Sequence, residues 1–539
     1  MPIRIYNTLS KTKEPFEPVT PGKVGIYLCG PTVYKPSHIG HMVGPVIFDA
    51  IKRHLVYSGY QVTLVINITD VDDKLIAESR RRAISMAAVA DEMTADYHRN
   101  LEAMGVDTVD HFPKATDHIG AIVEFTQTLI DGGFAYVAEG DVFFEVGRDP
   151  EYGKLSRRDV TALQGEGGGA AERKRSAADF ALWKGAKPGE PCWPSPWGSG
   201  RPGWHIECSA MSRRLLGETF DIHGGGLDLV FPHHENEIAQ SECRHGKPQA
   251  KYWLHNGLMQ ASHEVGKVGG RHTRELAAGE PAEGDVAAGE PAAGDQAAQE
   301  QGKMGKSKGA SAFRDLLAKY QGETIRFFLL STHYRRPIDY SEERIDEVEK
   351  GLDTFYRFFH RYERVTGESF HAIEPARTRQ AGDIVPGQVL IEEQAPIERQ
   401  VNEFRRQFLD VMDDDFNTGG AIGVLFELVR ALNKFVDEAG LETAGKTGSA
   451  EAASLRLGAA TLRELAAILG LFRRPVKAPA VAGFDDLVGK LMALVIDVRA
   501  EARKSKNFAM ADQIRKGLAA LGITLEDRPT GTEWTRRKQ

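Results

Sequence analysis

Residues 24 to 67 constrain the fold most. VGIYL at 24 to 28 reads as a short buried strand, and a loop bearing Gly30 and Pro31 follows it. A helix-patterned run then extends from about Gly40 to Tyr57, and QVTLVIN at 61 to 67 alternates as a second strand. Strand, helix, strand in that order predicts the start of a parallel, nucleotide-binding sheet. Helical pattern resumes near Lys74, and strand pattern returns in FDIHGGGLDLVF at 220 to 231. Between them, from about Lys114 to Pro202, lies a stretch that reads as an inserted subdomain, broken by LQGEGGGAAE at 163 to 172 and by a Trp/Pro/Gly-rich segment from Trp193 to Trp204.

Residues 261 to 302 contain a tandem ten-residue repeat, AAGEPAEGDV at 277 to 286 and AAGEPAAGDQ at 287 to 296. Too few apolar residues are present to offset the entropy of ordering, so the segment reads as a disordered insertion. Beyond Ala310 the pattern is helical over 342 to 366, 398 to 438, 455 to 472 and 484 to 520, with breaks at 370 to 396 and 439 to 452. From Leu521 the chain reads as a small extended tail. The fold expected is α/β: a Rossmann-like parallel-sheet catalytic domain split by an inserted subdomain, followed by an all-α helical C-terminal half.

A chain of 539 residues is too long for a single core and implies roughly three or four domains. No run approaches the about 18 apolar residues that a spanning helix needs, and the N-terminus lacks the plan of a signal peptide. A cytoplasmic protein without a membrane partner is expected. In a reducing compartment the four cysteines, Cys29, Cys192, Cys208 and Cys243, point to metal ligation or burial sooner than to disulfides. The net charge of −8 does not advertise a nucleic-acid binder, although a local basic surface is compatible with it.

HIGH at 38 to 41 stands at the mouth of the first predicted helix. Two imidazoles three positions apart share a face beside a helix end that favours phosphate, and Gly40 leaves room for a flat base to lie on the backbone. Alone, such a pair is more often a satisfied or exposed pair of histidines. Some 260 residues later comes KMGKS at 303 to 307, whose two lysines on a loop are able to close over a triphosphate as pyrophosphate leaves. Alone, it is more often a solvated basic loop. Together, in this order, the two segments resemble the signatures of class I aminoacyl-tRNA synthetases. The resemblance implies that His38, Gly40, His41 and Lys306 bind ATP, taken with magnesium, and that His38, His41 and Lys306 stabilise the transition state with Lys303 assisting. The chain departs from the family pattern at Gly305, where serine is usual, and at Ala310, where asparagine is usual.

Cys29 ends the first predicted strand, Cys208 lies in WHIECSAM at 204 to 211, and FPHHENE at 231 to 237 reads as the opening of a helix with Pro232 in its first turn. On that helix His233 and Glu237, four apart, face the same way, while His234, three from Glu237, is not excluded. Two thiolates, an imidazole and a carboxylate form a sensible zinc set; buried cysteines and a capping helix are the plainer alternative. CGPTVY at 29 to 34, DFALWK at 179 to 184, WHIECSAM and DIHGGGLDLVFPHHENEIAQSE at 221 to 242 resemble the cysteinyl-tRNA synthetase family, and so do DDDFNT at 413 to 418 and KNFAMADQIRKGLAALGITLED at 506 to 527. That resemblance implies one zinc on Cys29, Cys208, His233 and Glu237, with Thr69 and Trp204 bordering the amino acid and Asp228 receiving its ammonium. Cys192, Cys243 and His245 fall outside the set and read as structural.

The resemblance also implies boundaries: a catalytic domain over 1–113 and 203–310, an inserted connective subdomain over 114–202, a stem-contact region over 311–345, a helical bundle over 346–475 and an anticodon-binding domain over 484–539. The expected partners are cysteine, ATP and tRNA(Cys), on a monomeric enzyme. A pocket that reads shape separates cysteine from serine by only about 1 to 3 kcal/mol. Zinc, which takes a thiolate far better than an alcohol, supplies the rest, so the insertion need hold no editing site.

Two rivals remain. A cysteine ligase of the mycothiol type, acting on an amino sugar, resembles the same catalytic half but lacks an anticodon-binding end. Residues 484 to 539 carry eleven basic against eight acidic residues and Trp534, which reads either as a base-stacking surface or as a small-domain core residue. The other rival is a zinc-stabilised RNA-associated binding protein. Intact HIGH and both KMGKS lysines argue against it.

Overall fold

A computed structural model describes residues 2–158, 171–261, 312–379, 395–443, 447–475, 485–528 and 531–536. The chain forms two compact units, Met1–Arg473 and Arg474–Gln539.

In the first unit β1 (Arg4–Asn7) and β2 (Thr12–Pro15) form an antiparallel hairpin. β3 (Lys23–Leu28), α1 (Gly40–Tyr57) and β4 (Gln61–Ile66) follow where the pattern predicts them, and α2 (Asp73–Arg82) and α3 (Met86–Ala103) come next. α1 is buried along most of its length, with Met42, Val46, Phe48, Ala50 and Leu55 fully covered, as in a core helix. After α4 (Ile119–Asp131), the strands β5 (Ala135–Ala138), β6 (Asp141–Phe144), β7 (Phe180–Gly185) and β8 (Gly200–Pro202) make an antiparallel sheet in that order. It covers a separate core of Phe125, Phe144, Leu182 and Trp183.

α5 (Trp204–Leu216), β9 (Phe220–Gly226), α6 (Glu235–His245) and β10 (Ala250–Asn256) then complete the central sheet, ordered β10-β9-β3-β4 with every pair parallel. Gly224 of β9 has a packing reason: a Cβ there would meet Phe48 Cζ at 2.1 Å. The ends of β3, β4 and β9 carry Cys29, Thr69 and Asp228, and carboxyl ends of strands are where sheets of this kind bind ligands.

The expected helix opening at Phe231 is corrected. Residue 231 is extended (φ −139°, ψ 133°), Val230–His234 forms a wide turn interrupted there, and regular helix begins only at Glu235. The residue before a proline is driven out of helical geometry, and Pro232 lacks an amide to give. Ala261, expected as the first residue of an insertion, instead closes the strand Met259–Ala261, which pairs in parallel with Ile338–Tyr340. The rest of that insertion, and KMGKS with Lys303, Gly305, Lys306 and Ala310, lie outside the described residues.

Helices Phe313–Leu317, Gly322–Leu330, Glu342–Thr366, Pro396–Asp413, Thr418–Glu438 and Ala450–Ile468 follow in the first unit's C-terminal part. The run read from 398 to 438 is thus two helices. Asp415 and Phe416 take left-handed backbone (φ 67° and 52°), and Asn417 caps the second helix by accepting from the Gly420 amide at 3.0 Å. Burial of the Asp415 carboxylate under Tyr6 N (2.8 Å), Tyr334 Oη (2.8 Å) and Arg335 Nε (2.7 Å) stabilises the break.

The second unit has helices Asp485–Lys504 and Phe508–Ala520 and a hairpin of Ile523–Arg528 with Gly531–Arg536. Here too one helical run is broken, at Lys506 (φ 59°), with Asn507 capping the next helix. Trp534 lies opposite Leu525 and is half-buried against Met492, Leu518 and Leu525, as a core residue would be. Among the described residues no helix is long and apolar enough to cross a membrane.

Candidate active site

Residues 29–38 run from the end of β3 to the mouth of α1 and are tied to the neighbouring strand end. Gly30 N donates to Asn67 Oδ1 (2.8 Å) and Val33 N to the Thr69 carbonyl (3.2 Å). At the helix mouth the rings of His38 and His41 stack with centroids 3.8 Å apart. His41 Nδ1 accepts from the His38 amide (3.3 Å), and His38 Nδ1 accepts from the Gly40 amide (3.1 Å). A neutral imidazole that accepts at Nδ1 carries its proton at Nε2, so each ring presents one N–H as a donor. Any side chain at Gly40 would strike the His38 ring, 2.9 Å from a Cβ there. The geometry is a paired N–H donor at a helix N-terminus, which suits phosphate.

The proposed metal ligands converge. Cys29 Sγ lies 3.7 Å from Cys208 Sγ and 3.4 Å from Glu237 Oε1, and His233 Nε2 lies 3.0 Å from the same oxygen. All four donor atoms fall within 4.8 Å of one another, brought from the end of β3, from α5, from the turn at 230–234 and from α6. Soft thiolates with one imidazole and one carboxylate fit zinc by donor chemistry.

The four groups shift one another's titration strongly. Burial pushes the Cys208 thiol up, but hydrogen bonds from Cys29 and His233 bring it down to about 6. Cys29 is pushed well up by burial and by the neighbouring Cys208 sulfur. Burial also opposes ionisation of Glu237, yet the imidazoles of His223 and His233 hold its carboxyl well below the usual range. His233 in turn is raised to about 10, because the Glu237 charge outweighs desolvation.

Trp204 stacks on His233 with centroids 4.3 Å apart and keeps 38% of its surface exposed, so it walls the cluster on an open side. Thr69 is buried and accepts from Asn67 Nδ2 at 3.3 Å. Asp228 is exposed on the short turn Leu227–Leu229 after β9. Cys192 is exposed, and Cys243 packs against the separate core beside the β5–β8 sheet.

Sequence reasoning missed His223. Its Nε2 donates to Glu237 Oε2 at 2.9 Å, and with Cys29, His234 and Glu237 it makes a second set of donors within 4.8 Å. His205 shares a proton with His233 across 2.9 Å, and His234 does so with His255 across 2.8 Å. The available signal was a histidine beside Ile222 in the strand-patterned FDIHGGG, since an imidazole buried in a strand needs a partner.

Three family models match the chain: the tRNA synthetases class I (C) catalytic domain over 15–267 and 272–350, the DALR domain over 407–473, and the cysteinyl-tRNA ligase anticodon binding domain over 495–534. The cysteine–tRNA ligase of Geobacter metallireducens is 42% identical over 99% of both chains, and that of Syntrophotalea carbinolica 43% identical over 100% of both. Among solved structures, Mycobacterium tuberculosis methionyl-tRNA synthetase bound by methionyl-adenylate superposes with a TM-score of 0.55 at 13% identity, covering 83% of this chain and 90% of that one, a likeness of fold alone. On these matches the chain belongs to the cysteinyl-tRNA synthetase family, ATP-dependent ligases of aminoacyl-tRNA synthetase class I.

Proposed function

We propose that this chain charges tRNA(Cys) with cysteine in two steps. The carboxylate of cysteine attacks the α-phosphorus of ATP, taken as its magnesium complex, and cysteinyl-adenylate forms as pyrophosphate leaves. The terminal adenosine hydroxyl of the tRNA then takes the acyl group and releases AMP. His38 and His41 donate from Nε2 to the phosphate oxygens as charge develops, with Gly40 leaving the adenosine room and Lys306 and Lys303 neutralising the departing pyrophosphate. Thr69 and Trp204 border the amino acid, and Asp228 receives its ammonium. Cys29, Cys208, His233 and Glu237 would hold zinc, whose preference for a thiolate over an alcohol supplies selection of cysteine against serine.

The observation that carries the reading is the convergence of those four donors beside the Trp204 ring. The expected organisation is a catalytic domain (1–113 and 203–310), a connective insertion (114–202), a stem-contact region (311–345), a helical bundle (346–475) and an anticodon-binding domain (484–539), in a cytoplasmic monomer. A ligase passing cysteine to an amino sugar is not favoured, because an anticodon-binding domain model matches 495–534. The test is cysteine-dependent exchange of pyrophosphate into ATP on protein of measured metal content, with serine as the competitor. Active enzyme free of zinc, or equal use of serine, would sink the selection argument; failure to charge any tRNA would sink the function.

A further inference from the structure

Tyr34 stands midway along the loop whose two ends carry Cys29 and His38. Its amide donates to the Thr32 carbonyl (3.1 Å), and Thr32 bridges to Thr69 at the end of β4. The Nζ of Lys35 lies 5.8 Å from the centroid of its half-buried ring, and that of Lys74 lies 5.7 Å away; both lysines are exposed. Lys74 belongs to the first turn of α2, where the preceding Asp73 is held by Lys184 (3.0 Å) and Arg201 of the inserted sheet. An aromatic ring with two ammonium groups therefore marks the seam between the 29–38 loop, α2 and the inserted subdomain.

If the amino acid's sulfur is held at the Cys29 end and the phosphate at the His38 end, the acyl carbon of the adenylate lies between them. The hydroxyl that attacks it arrives over the middle of the loop, on an unpaired strand. Unpaired nucleotides are bound by aromatic faces that stack a base and by cations that take the phosphodiester, and this is the chemistry present at Tyr34. We infer that Tyr34, Lys35 and Lys74 form the subsite for the unpaired 3′ end of the tRNA acceptor strand. A base packs on the ring, and the adjoining phosphate draws the two ammonium groups. This rests on the charging reading above.

The test uses the full-length protein with tRNA(Cys) transcript and three variants: Tyr34→Leu, Tyr34→Phe, and Lys35→Gln combined with Lys74→Gln. Cysteine-dependent pyrophosphate exchange should be unchanged in all three. Single-turnover transfer from preformed adenylate should fall roughly 5- to 140-fold in Tyr34→Leu, the range for losing one stacked base, and Tyr34→Phe should restore it. The double lysine variant should flatten the dependence of log affinity on log salt by about 0.7 for each phosphate left without its ammonium partner. Should Tyr34→Leu fail to fold, the exposed lysines carry the test. Equal loss of exchange and transfer would assign the cluster to ATP and overturn the inference. So would unchanged transfer in both Tyr34→Leu and the lysine variant. A wild-type protein that charges no tRNA would instead overturn the function on which the inference rests.

Discussion

Each compact unit contains an arginine–aspartate pair, and the two pairs are built differently. In the first unit the Arg326 and Asp49 side chains are 1% and 0% exposed. Arg326 also donates to the carbonyls of Leu469 (2.8 Å), Met104 (3.2 Å) and Gly105 (3.3 Å), while Asp49 accepts from Arg53 Nε (2.8 Å) and Thr108 Oγ1 (2.6 Å). In the second unit Arg499 is buried but Asp527 keeps 34% of its surface, and the pair is bidentate at 2.6 and 2.7 Å. Among the described residues its buried apolar side chains are Met492, Ala502, Ala511, Leu518 and Leu525, while Leu491, Leu494 and Val498 lie exposed on the long helix. A large core can surround a charge with enough partners to keep it dry; a small one cannot, and places its ion pair at the rim. The lesson is that the first unit is intolerant where it is polar and buried, and the active site is its extreme case.

The sharpest way to break this contrast is Glu237→Ala. It removes the carboxylate bonded by both His223 and His233 in a fully buried place, so zinc content and pyrophosphate exchange should both fall by more than the roughly 10- to 100-fold that loss of an outer partner costs. Atomic absorption on the purified variant gives the answer, and retained zinc would show that the carboxylate is not a ligand. Next in size is truncation after residue 475. Exchange should survive, since no proposed ATP or zinc residue is removed, while transfer to tRNA should drop about 100-fold through lost orientation. Circular dichroism must first show the shortened chain folded, and full charging by a folded truncation would refute the division of labour.

Arg326→Leu should cost about 3 to 5 kcal/mol in urea unfolding, because Asp49 stays buried and three carbonyls lose their donor. Arg326→Lys should not repair it, since the guanidinium fork is what reaches several acceptors at once. An unchanged urea midpoint would erase the contrast between the units.

The smallest effect belongs to Asp527→Asn, about 1 kcal/mol for a pair partly open to solvent. The Arg499 hydrogen bonds hold the Asp527 carboxyl well below its ordinary range. Its contribution is therefore complete above about pH 4, the unfolded value, and is lost as pH falls further. Amide exchange in the C-terminal hairpin should become more acid-sensitive below that pH in wild type, and the variant should not show this component.

Local pattern was enough for much of this molecule. The limits of α1, Gly40–Tyr57, are those of its 3.6-residue pattern, because period and a permissive first residue are properties of neighbours along the chain. The helix breaks at Asp415 and Lys506 were not legible, since a non-glycine residue takes left-handed backbone only where capping and tertiary hydrogen bonds stabilise it. The opening of α6 was misjudged for a local reason, the constraint that Pro232 places on Phe231.

For the site, the sequence by itself determined the kinds of donor available, thiols at 29 and 208, imidazoles at 38, 41 and 233, a carboxylate at 237, and through family resemblance their grouping. Spacing decided none of the long-range pairings. That Cys29 and Cys208, 179 positions apart, meet at 3.7 Å, that His223 joins them, and that Glu237 lies between two imidazoles were decided only by the tertiary structure. The physical reason is the parallel sheet: it brings strand ends from distant sequence positions to one edge, and α5 and α6, flanking β9 along the chain, bring Cys208 and Glu237 to meet them.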